Sequence, residues 1–387
     1  MKKLLILAVG GGSGGHVTPV VAVLRELKTT HPAAEVQFWC DRKFAPQAKT
    51  IMDGFDPSIK ITTTIAGKLR RYHHLTFLQH ITIPSVFWPN IRDVFLVMGG
   101  VVQSTVRLML WRPDVVFTKG GYVCLPVGWA AKLLRIPLVI HDSDVQAGLT
   151  NRLLARSATY IATGAPLEYY KYPVSKSSYV GIPINRAFHH YSDSERAEIK
   201  KTLAIASDRP LVVITGGGLG AKALNDEVAL HLHELIARAS VILISGTEQY
   251  DELRALTTHT DAHFQLHAFV PSEVMVEMLA AADVVVSRAG ATTLLELAAL
   301  ARPTVLVPSM RLEWQIKHAT HYSEQNAVVM LDEHSFSQEG KSTLLEAVMK
   351  VLDSSELQSR LSKNIRQFAK PNAARDMAKI ILKAAKK

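Results

Sequence analysis

Short runs of aliphatic and β-branched residues recur along the chain, separated by stretches in which apolar positions return every three to four residues. The runs predict strands at Leu4–Val9, Val36–Cys40, Val115–Phe117, Leu138–Ile140 and Tyr160–Ala162, and a second series at Leu211–Ile214, Val241–Ile244, Val284–Val286 and Thr304–Val307. The intervening spacing predicts helices, among them Val20–Lys28, Ala221–Ala237 and Ala291–Ala299, and a last amphipathic helix from about Pro371 to Lys387. Runs that are apolar throughout belong to strands covered on both faces. With helical crossovers they predict an α/β fold with parallel sheets. The pattern starts twice. Leu4–Leu7 leads into Gly10-Gly11-Gly12-Ser13-Gly14-Gly15, and Leu211–Ile214 leads into Gly216-Gly217-Gly218-Leu219-Gly220-Ala221. Each is strand, glycine-rich turn, helix, so the chain reads as two Rossmann-like domains. Their boundary is placed near Gly181–Arg186, ahead of the capped helix start at Ser192–Glu195.

Composition narrows the field. A chain of 387 residues suits about two domains. With 48% hydrophobic and 20% charged residues, disorder and low complexity are excluded. Cys40 and Cys124 make no disulfide framework, and their apolar surroundings predict buried, inert thiols. The N-terminal apolar run is short, enters the glycines directly and shows no cleavage site, so it reads as a buried strand rather than a signal peptide. The absence of an 18-residue apolar stretch predicts no membrane-crossing helix. The formal charge of +10 suits polyphosphate ligands or an anionic membrane surface. No helix-turn-helix, zinc-finger or aromatic RNA-binding signature points to nucleic acid.

Several residues carry candidate chemistry. The glycine loop at 10–15 permits close backbone approach, and the helix after it offers N–H groups to an anion. His16 stands at that helix start, where the positive dipole end disfavours imidazolium. It reads either as a general base or as a plain capping residue. The Gly216–Ala221 turn binds phosphate through backbone alone or serves tight packing. Glu296 follows Ser287-Arg288-Ala289-Gly290-Ala291-Thr292-Thr293 and reads as an acceptor for ribose hydroxyls or as a surface carboxylate near a helix start. Asp142-Ser143-Asp144 has the form of a metal-holding D-x-D motif, but capping of a helix over Val145–Leu154 is the favoured reading. Lys68-Leu69-Arg70-Arg71-Tyr72 before Phe77, Phe87 and Trp88 reads as a lipid-headgroup contact or as a solvated face with core aromatics behind it. A dinucleotide fingerprint fits Gly10, Gly12 and Gly15, but Glu35 and Asp41 flank the second strand without a clear ribose acid, which weakens a dehydrogenase reading.

In order, GGGSGGHVTP at 10–19, AGKLRRY at 66–72, RPDVVFTKGGYV at 112–123, IPLVIHDSDVQAGLTNRLLA at 136–155, GGGLGAKALN at 216–225 and ADVVVSRAGATTLLELAAL at 282–300 resemble the MurG family of peptidoglycan glycosyltransferases over nearly the whole chain. The resemblance implies a GT-B fold of two Rossmann-like parallel-sheet domains facing a central cleft. It implies an acceptor and membrane domain at 1–184, a UDP-N-acetylglucosamine domain at 185–370, and a helix at 371–387 returning to the first domain. The implied activity is inverting transfer of N-acetylglucosamine from UDP-N-acetylglucosamine to undecaprenyl-diphospho-N-acetylmuramoyl-pentapeptide (lipid I), giving lipid II at the cytoplasmic face of the bacterial membrane.

By the same resemblance, the donor contacts are Ser13, Gly14, Gly15, Asp144, Asn185, Arg186, Gly218, Val270, Ala291, Thr292, Thr293, Leu294, Leu295, Glu296 and Gln315. Val270 meets uracil through its backbone, Glu296 the ribose and Gln315 the sugar hydroxyls. The acceptor contacts are Gly14, Gly15, Gly120, Gly121, Tyr122, His141 and Asp142, with His16 as base; Lys68, Arg70, Arg71, Tyr72, Phe77, Phe87 and Trp88 meet the membrane. Gly218 stands where the family usually has a serine, Asn185 where it has an arginine, and the residues around Gln315 depart from the usual pattern. No cofactor is expected beyond the substrates, and a divalent metal, for which there is room, is not expected to be essential. The nearest alternative is a related GT-B enzyme with another lipid acceptor, such as diacylglycerol.

Overall fold

The computed structural model describes residues 3–12, 14–69, 83–145, 147–206, 208–217, 220–257, 263–337 and 342–386. The chain divides into two compact units. One comprises Met1–Asn185 with Asn372–Lys387, the other Arg186–Pro371.

The first unit runs β1 (Leu5–Val9), α1 (Gly14–Thr30), β2 (Glu35–Cys40), α2 (Ala45–Asp53), β3 (Lys60–Thr63), α3 (Pro84–Leu110), β4 (Val115–Thr118), α4 (Cys124–Leu133), β5 (Leu138–Asp142), α5 (Leu149–Leu154), β6 (Tyr160–Thr163) and β7 (Ser177–Tyr179). The seven strands are parallel, in the order β3-β2-β1-β4-β5-β6-β7. Alternation along the central strands feeds two cores. Ile6, Ala8, Val115, Phe117 and Val139 point into one, and Leu7, Val9, Val116, Leu138 and Ile140 into the other. This is why those strands read as unbroken apolar runs.

The second unit repeats the plan. It contains α6 (Asp193–Thr202), β8 (Leu211–Thr215), α7 (Lys222–Leu230), α8 (Leu232–Arg238), β9 (Ser240–Ile244), α9 (Tyr250–Leu256), β10 (Phe264–His267), α10 (Ser272–Ala281), β11 (Val284–Ser287), α11 (Ala291–Leu300), β12 (Thr304–Leu306), α12 (Glu313–Glu324), β13 (Val329–Met330), α13 (Thr343–Leu352) and α14 (Ser355–Arg366). Its parallel order, β10-β9-β8-β11-β12-β13, places each unit's first strand at the topological switch point.

Several expectations are adjusted. α1 begins at Gly14, not Val20, so the glycine loop feeds directly into a helix start. The single helix expected over Ala221–Ala237 breaks at His231, whose backbone leaves the helical region at φ −110°, ψ 21°. Four strands escaped the pattern: β3, β7, β10 and β13. The first three are polar or half-exposed and β13 has two residues, so none carries an apolar run.

The larger correction concerns α3. By length and composition it is able to cross a membrane, and it is the one such helix among the described residues. It is nonetheless anchored along the first unit through Val86, Asp93, Val97, Gly100, Ser104 and Leu108. Gly100 and Gly67 allow the contact. A Cβ on Gly100 would strike the Ile65 carbonyl, and one on Gly67 the Asp93 backbone.

The last helix, α15 (Ala373–Ala385), belongs to the first unit. It packs on α1 and adds Met377, Ala378, Ile381 and Ala384 to the core under β1 and β4. Ile381→Ala is expected to cost about 2–5 kcal/mol, read as a lower midpoint of urea unfolding. An unchanged midpoint would show that the helix contributes nothing to that core.

Candidate active site

The candidate residues fall into two sets, one at the carboxyl ends of the strands in each unit. In the first unit β1 ends in Gly10–Gly12 and α1 follows. Asp41, one residue past β2, ties this loop down. Its two carboxylate oxygens accept from Gly12 N–H at 2.8 Å and Phe44 N–H at 3.0 Å. A buried carboxylate committed to its own loop is unavailable to a ribose, which removes the structural basis of the dinucleotide reading. Gly14, Gly15 and His16 form the first turn of α1, and Ser13 lies outside the described residues. Gly120 and Gly121 sit at φ +101° and +88° after β4, a turn only glycine takes easily. They bring Tyr122 beside Gly12, and burial together with Asp41 raises the Tyr122 phenol.

β5 supplies His141 and Asp142, both buried. His141 Nε2 lies 2.8 Å from the Gly181 carbonyl oxygen, which only accepts, so Nε2 carries the proton. Burial, then the Lys119 charge, holds the imidazole neutral, well below its ordinary range. The expectation that Asp142 or Asp144 caps a helix at Val145 is corrected. The helix starts at Leu149, its N-cap is Gly148, and no side chain caps it. Asp142 instead belongs to the strand. It accepts from Tyr172 O–H at 2.6 Å and more weakly from Gly148 N–H at 3.3 Å. Burial lifts its carboxyl to about 6, against the pull of Tyr172. Asp144 is half-buried, and its carbonyl accepts from Tyr170 O–H at 2.7 Å.

The sequence reading missed Lys119, the residue between β4 and the glycine turn. It is only 1% exposed. Its ammonium donates to Ser143 Oγ, and burial pulls it down to about 8 despite the nearby carboxylates of Asp144 and Asp142. Cys40 and Cys124 are buried free thiols pushed up to about 12 by desolvation, as their inert role requires.

In the second unit β8 ends at Thr215, and Gly217 and Gly220 turn the chain at φ +82° and +76°. Gly217 N–H donates to Thr215 Oγ1 at 3.1 Å. Gly220 has no room for a Cβ against the Ser245 carbonyl, and Asn225 braces that carbonyl from below at 2.9 Å. Gly218 lies outside the described residues. After β11, Arg288 pairs with Glu333 at 2.9 and 3.2 Å and donates to the Val307 carbonyl, fixing the approach to α11. Gly290 is the extended N-cap of α11, so Ala291, Thr292 and Thr293 present the free N–H groups of its first turn. Leu294 and Leu295 do not join them. Both are buried in the core, and Leu294 N–H already bonds to the Gly290 carbonyl at 2.9 Å.

Val270 is buried just after β10, beside exposed Phe269. Gln315 is buried near the start of α12, with its Oε1 accepting from Ser309 N–H at 2.9 Å. Only its –NH2 group has hydrogens left to offer a ligand. Asn185 and Arg186 fall on opposite sides of the division between the units. Of the membrane set, Lys68 is exposed, Phe87 is half-buried and meets exposed Trp88 edge-on at 5.5 Å, and Arg70, Arg71, Tyr72 and Phe77 lie outside the described residues. Among the described residues no group of three or more His, Cys, Asp or Glu is arranged to hold a metal ion.

Two Rossmann-like units, each with a glycine turn and a helix start beyond its first strand, define a glycosyltransferase of the GT-B class. Residues 6–163 match the N-terminal domain of glycosyltransferase family 28, and residues 211–379 match its C-terminal domain. The UDP-N-acetylglucosamine–N-acetylmuramyl-(pentapeptide) pyrophosphoryl-undecaprenol N-acetylglucosamine transferase of Lachnospira eligens is 32% identical, with 91% of each chain covered. That of Natranaerobius thermophilus is 29% identical, with 97% of this chain and 98% of its own covered. The crystal structure of Acinetobacter baumannii MurG shares the fold, with a TM-score of 0.71 at 24% identity over 99% of this chain and 100% of its own. The chain belongs to glycosyltransferase family 28, in its MurG branch.

Glu296, in the second turn of α11, is lifted from its usual 4.5 to about 7 by burial. The unfolded chain releases this proton near 4.5 and the folded one near 7. Stability therefore falls as pH rises between those values, and the full penalty applies above 7. Glu296→Gln should raise the melting temperature at pH 8, with the gain shrinking towards pH 5. The gain is at most about 3 kcal/mol, since the side chain is only partly shielded from solvent. A gain that does not depend on pH would contradict the desolvation account.

Proposed function

We propose that the protein moves N-acetylglucosamine from UDP-N-acetylglucosamine to lipid I. The observation that carries this reading is likeness over nearly the full chain to curated transferases with that activity. The second unit takes the nucleotide. Uracil meets the Val270 backbone, Glu296 accepts from the ribose hydroxyls, and the free N–H groups of Ala291–Thr293 face the diphosphate. Gln315 offers its –NH2 group to the sugar. The first unit takes the acceptor on the α1 start, the Gly120–Tyr122 turn and the His141–Asp144 segment.

Transfer from an α-linked donor to a β-linked product is one inversion. His16, at the start of α1, is the base that takes the acceptor hydroxyl proton. Negative charge developing on departing UDP is met by backbone N–H groups, so no metal ion is needed for that step. With purified protein, UDP release should require lipid I or a short-chain analogue and survive EDTA. Release that instead requires diacylglycerol would favour the alternative acceptor. Loss with EDTA and rescue by magnesium would overturn the metal-free step. Glu296→Ala should weaken UDP by about 10- to 150-fold, the worth of a charged hydrogen bond. Unchanged UDP affinity by calorimetry would refute the ribose role.

The acceptor's polyprenyl tail places the work at a bilayer, on the cytoplasmic side where UDP-sugars are found. α3 suits that location. Trp88, Val94, Phe95, Met98, Val102, Val106, Met109 and Leu110 are exposed along it, and the one acid in the helix, Asp93, is buried. An apolar face without exposed acid, with Arg92 paired to buried Asp93 and Lys68 exposed in the same unit, fits an anionic lipid surface. Replacing Phe95, Met98 and Val102 together by Ser should weaken binding to anionic vesicles by at least about 30-fold, with UDP affinity unchanged. Co-sedimentation equal to the parent's would place the membrane contact elsewhere.

A further inference from the structure

Lys119 is a buried cation that none of the assigned roles uses. Burying a lysine is costly unless it is partnered, and this one has a defined set of partners. Its ammonium donates to Ser143 Oγ. Ser143 Oγ lies 3.5 Å from His141 Nδ1, at the outer limit of a hydrogen bond. Because His141 Nε2–H is committed to the Gly181 carbonyl, Nδ1 is an acceptor and the Ser143 hydroxyl is the donor to it. The chain of bonds therefore has one direction, from Lys119 through Ser143 and His141 to Gly181. It fastens the end of β4, which carries the Gly120–Tyr122 turn, to the end of β5 and to the peptide after β7.

Charge adds a second argument. The groups facing Lys119 are Asp144, Asp142, His141 and Cys124. His141 is neutral and the Cys124 thiol is protonated at neutral pH, which leaves two carboxylates against one ammonium. Without Lys119 these strand ends would present only acid to an anionic substrate.

We propose that Lys119 is a positioning residue for the acceptor diphosphate: it fixes the Gly120–Tyr122 turn through Ser143 and offsets Asp142 and Asp144 so that the anion can approach. The inference rests on the reading that the first unit receives the acceptor.

The test is steady-state kinetics with a short-chain lipid I analogue and UDP-N-acetylglucosamine. Lys119→Met keeps the length of the side chain and removes its charge. It should raise the acceptor KM by about tenfold or more, as expected for carboxylates left without their partner, with the donor KM within about twofold. Adding Asp144→Asn to Lys119→Met should recover most of that loss. A merely structural lysine would not be rescued by removing a carboxylate. Should Lys119→Met not fold, Asp144→Asn alone decides the matter, because it leaves more positive charge and should lower the acceptor KM. An unchanged acceptor KM in a folded Lys119→Met, or a raised one in Asp144→Asn, overturns the proposal. A parent protein inactive with this donor and acceptor would instead overturn the functional reading.

Discussion

A parallel sheet covered by helices on both faces leaves polar chemistry one place to stand, the carboxyl ends of its strands. Both units obey this constraint. In the first, the residues at or just past those ends are Gly10, Asp41, Lys119 and Asp142; in the second, Thr215, Ser245, His267 and Ser287. The strands themselves are closed to function because their side chains make the cores on either face. Everything that recognises a ligand must therefore come from strand ends, the turns beyond them and the helix starts that follow.

That placement makes the glycines work as spacing elements. Gly220 exists to clear a carbonyl, and Gly120 and Gly121 to hold a left-handed turn. The buried side chains beneath them then fix what glycine leaves loose. Asp41 holds the first loop by the Gly12 N–H and its own segment by the Phe44 N–H, and Asn225 holds Ser245 under the second. Flexible residues carry the approach to the ligand, and rigid polar braces set its position.

The parts of this plan that were legible in the sequence are those where physics leaves one signal. Central strands such as Leu211–Thr215 are apolar on both faces, and the two glycine turns follow them directly. Edge strand β3, Lys60–Thr63, is half-exposed and polar, so its residues resemble a loop. α3 failed for the opposite reason. Its buried stripe and its exposed stripe are both apolar, which flattens the helical periodicity that a one-sided helix would show. Lys119 and Asp41 were illegible because charged residues are almost always solvated, and nothing local marks the exceptions. Leu294 differs from Ala291–Thr293 in that its N–H is already bonded within the helix, since only the first turn of α11 has N–H groups to spare.

Three charged side chains altered by burial share a pattern that links stability to binding. Glu296 and Asp142 are raised and Lys119 is lowered, so each is pushed towards its neutral form. Charge at these positions is under-solvated in the empty protein. A ligand that offers hydroxyl donors to Glu296 supplies the solvation that the fold withholds there. The charged form then becomes the favoured one, and the penalty carried by the free protein returns as affinity. Sites built this way are destabilising when empty and preorganised when filled. A core of this size is able to hold several such groups, because two-faced burial of both sheets supplies stability that does not depend on them.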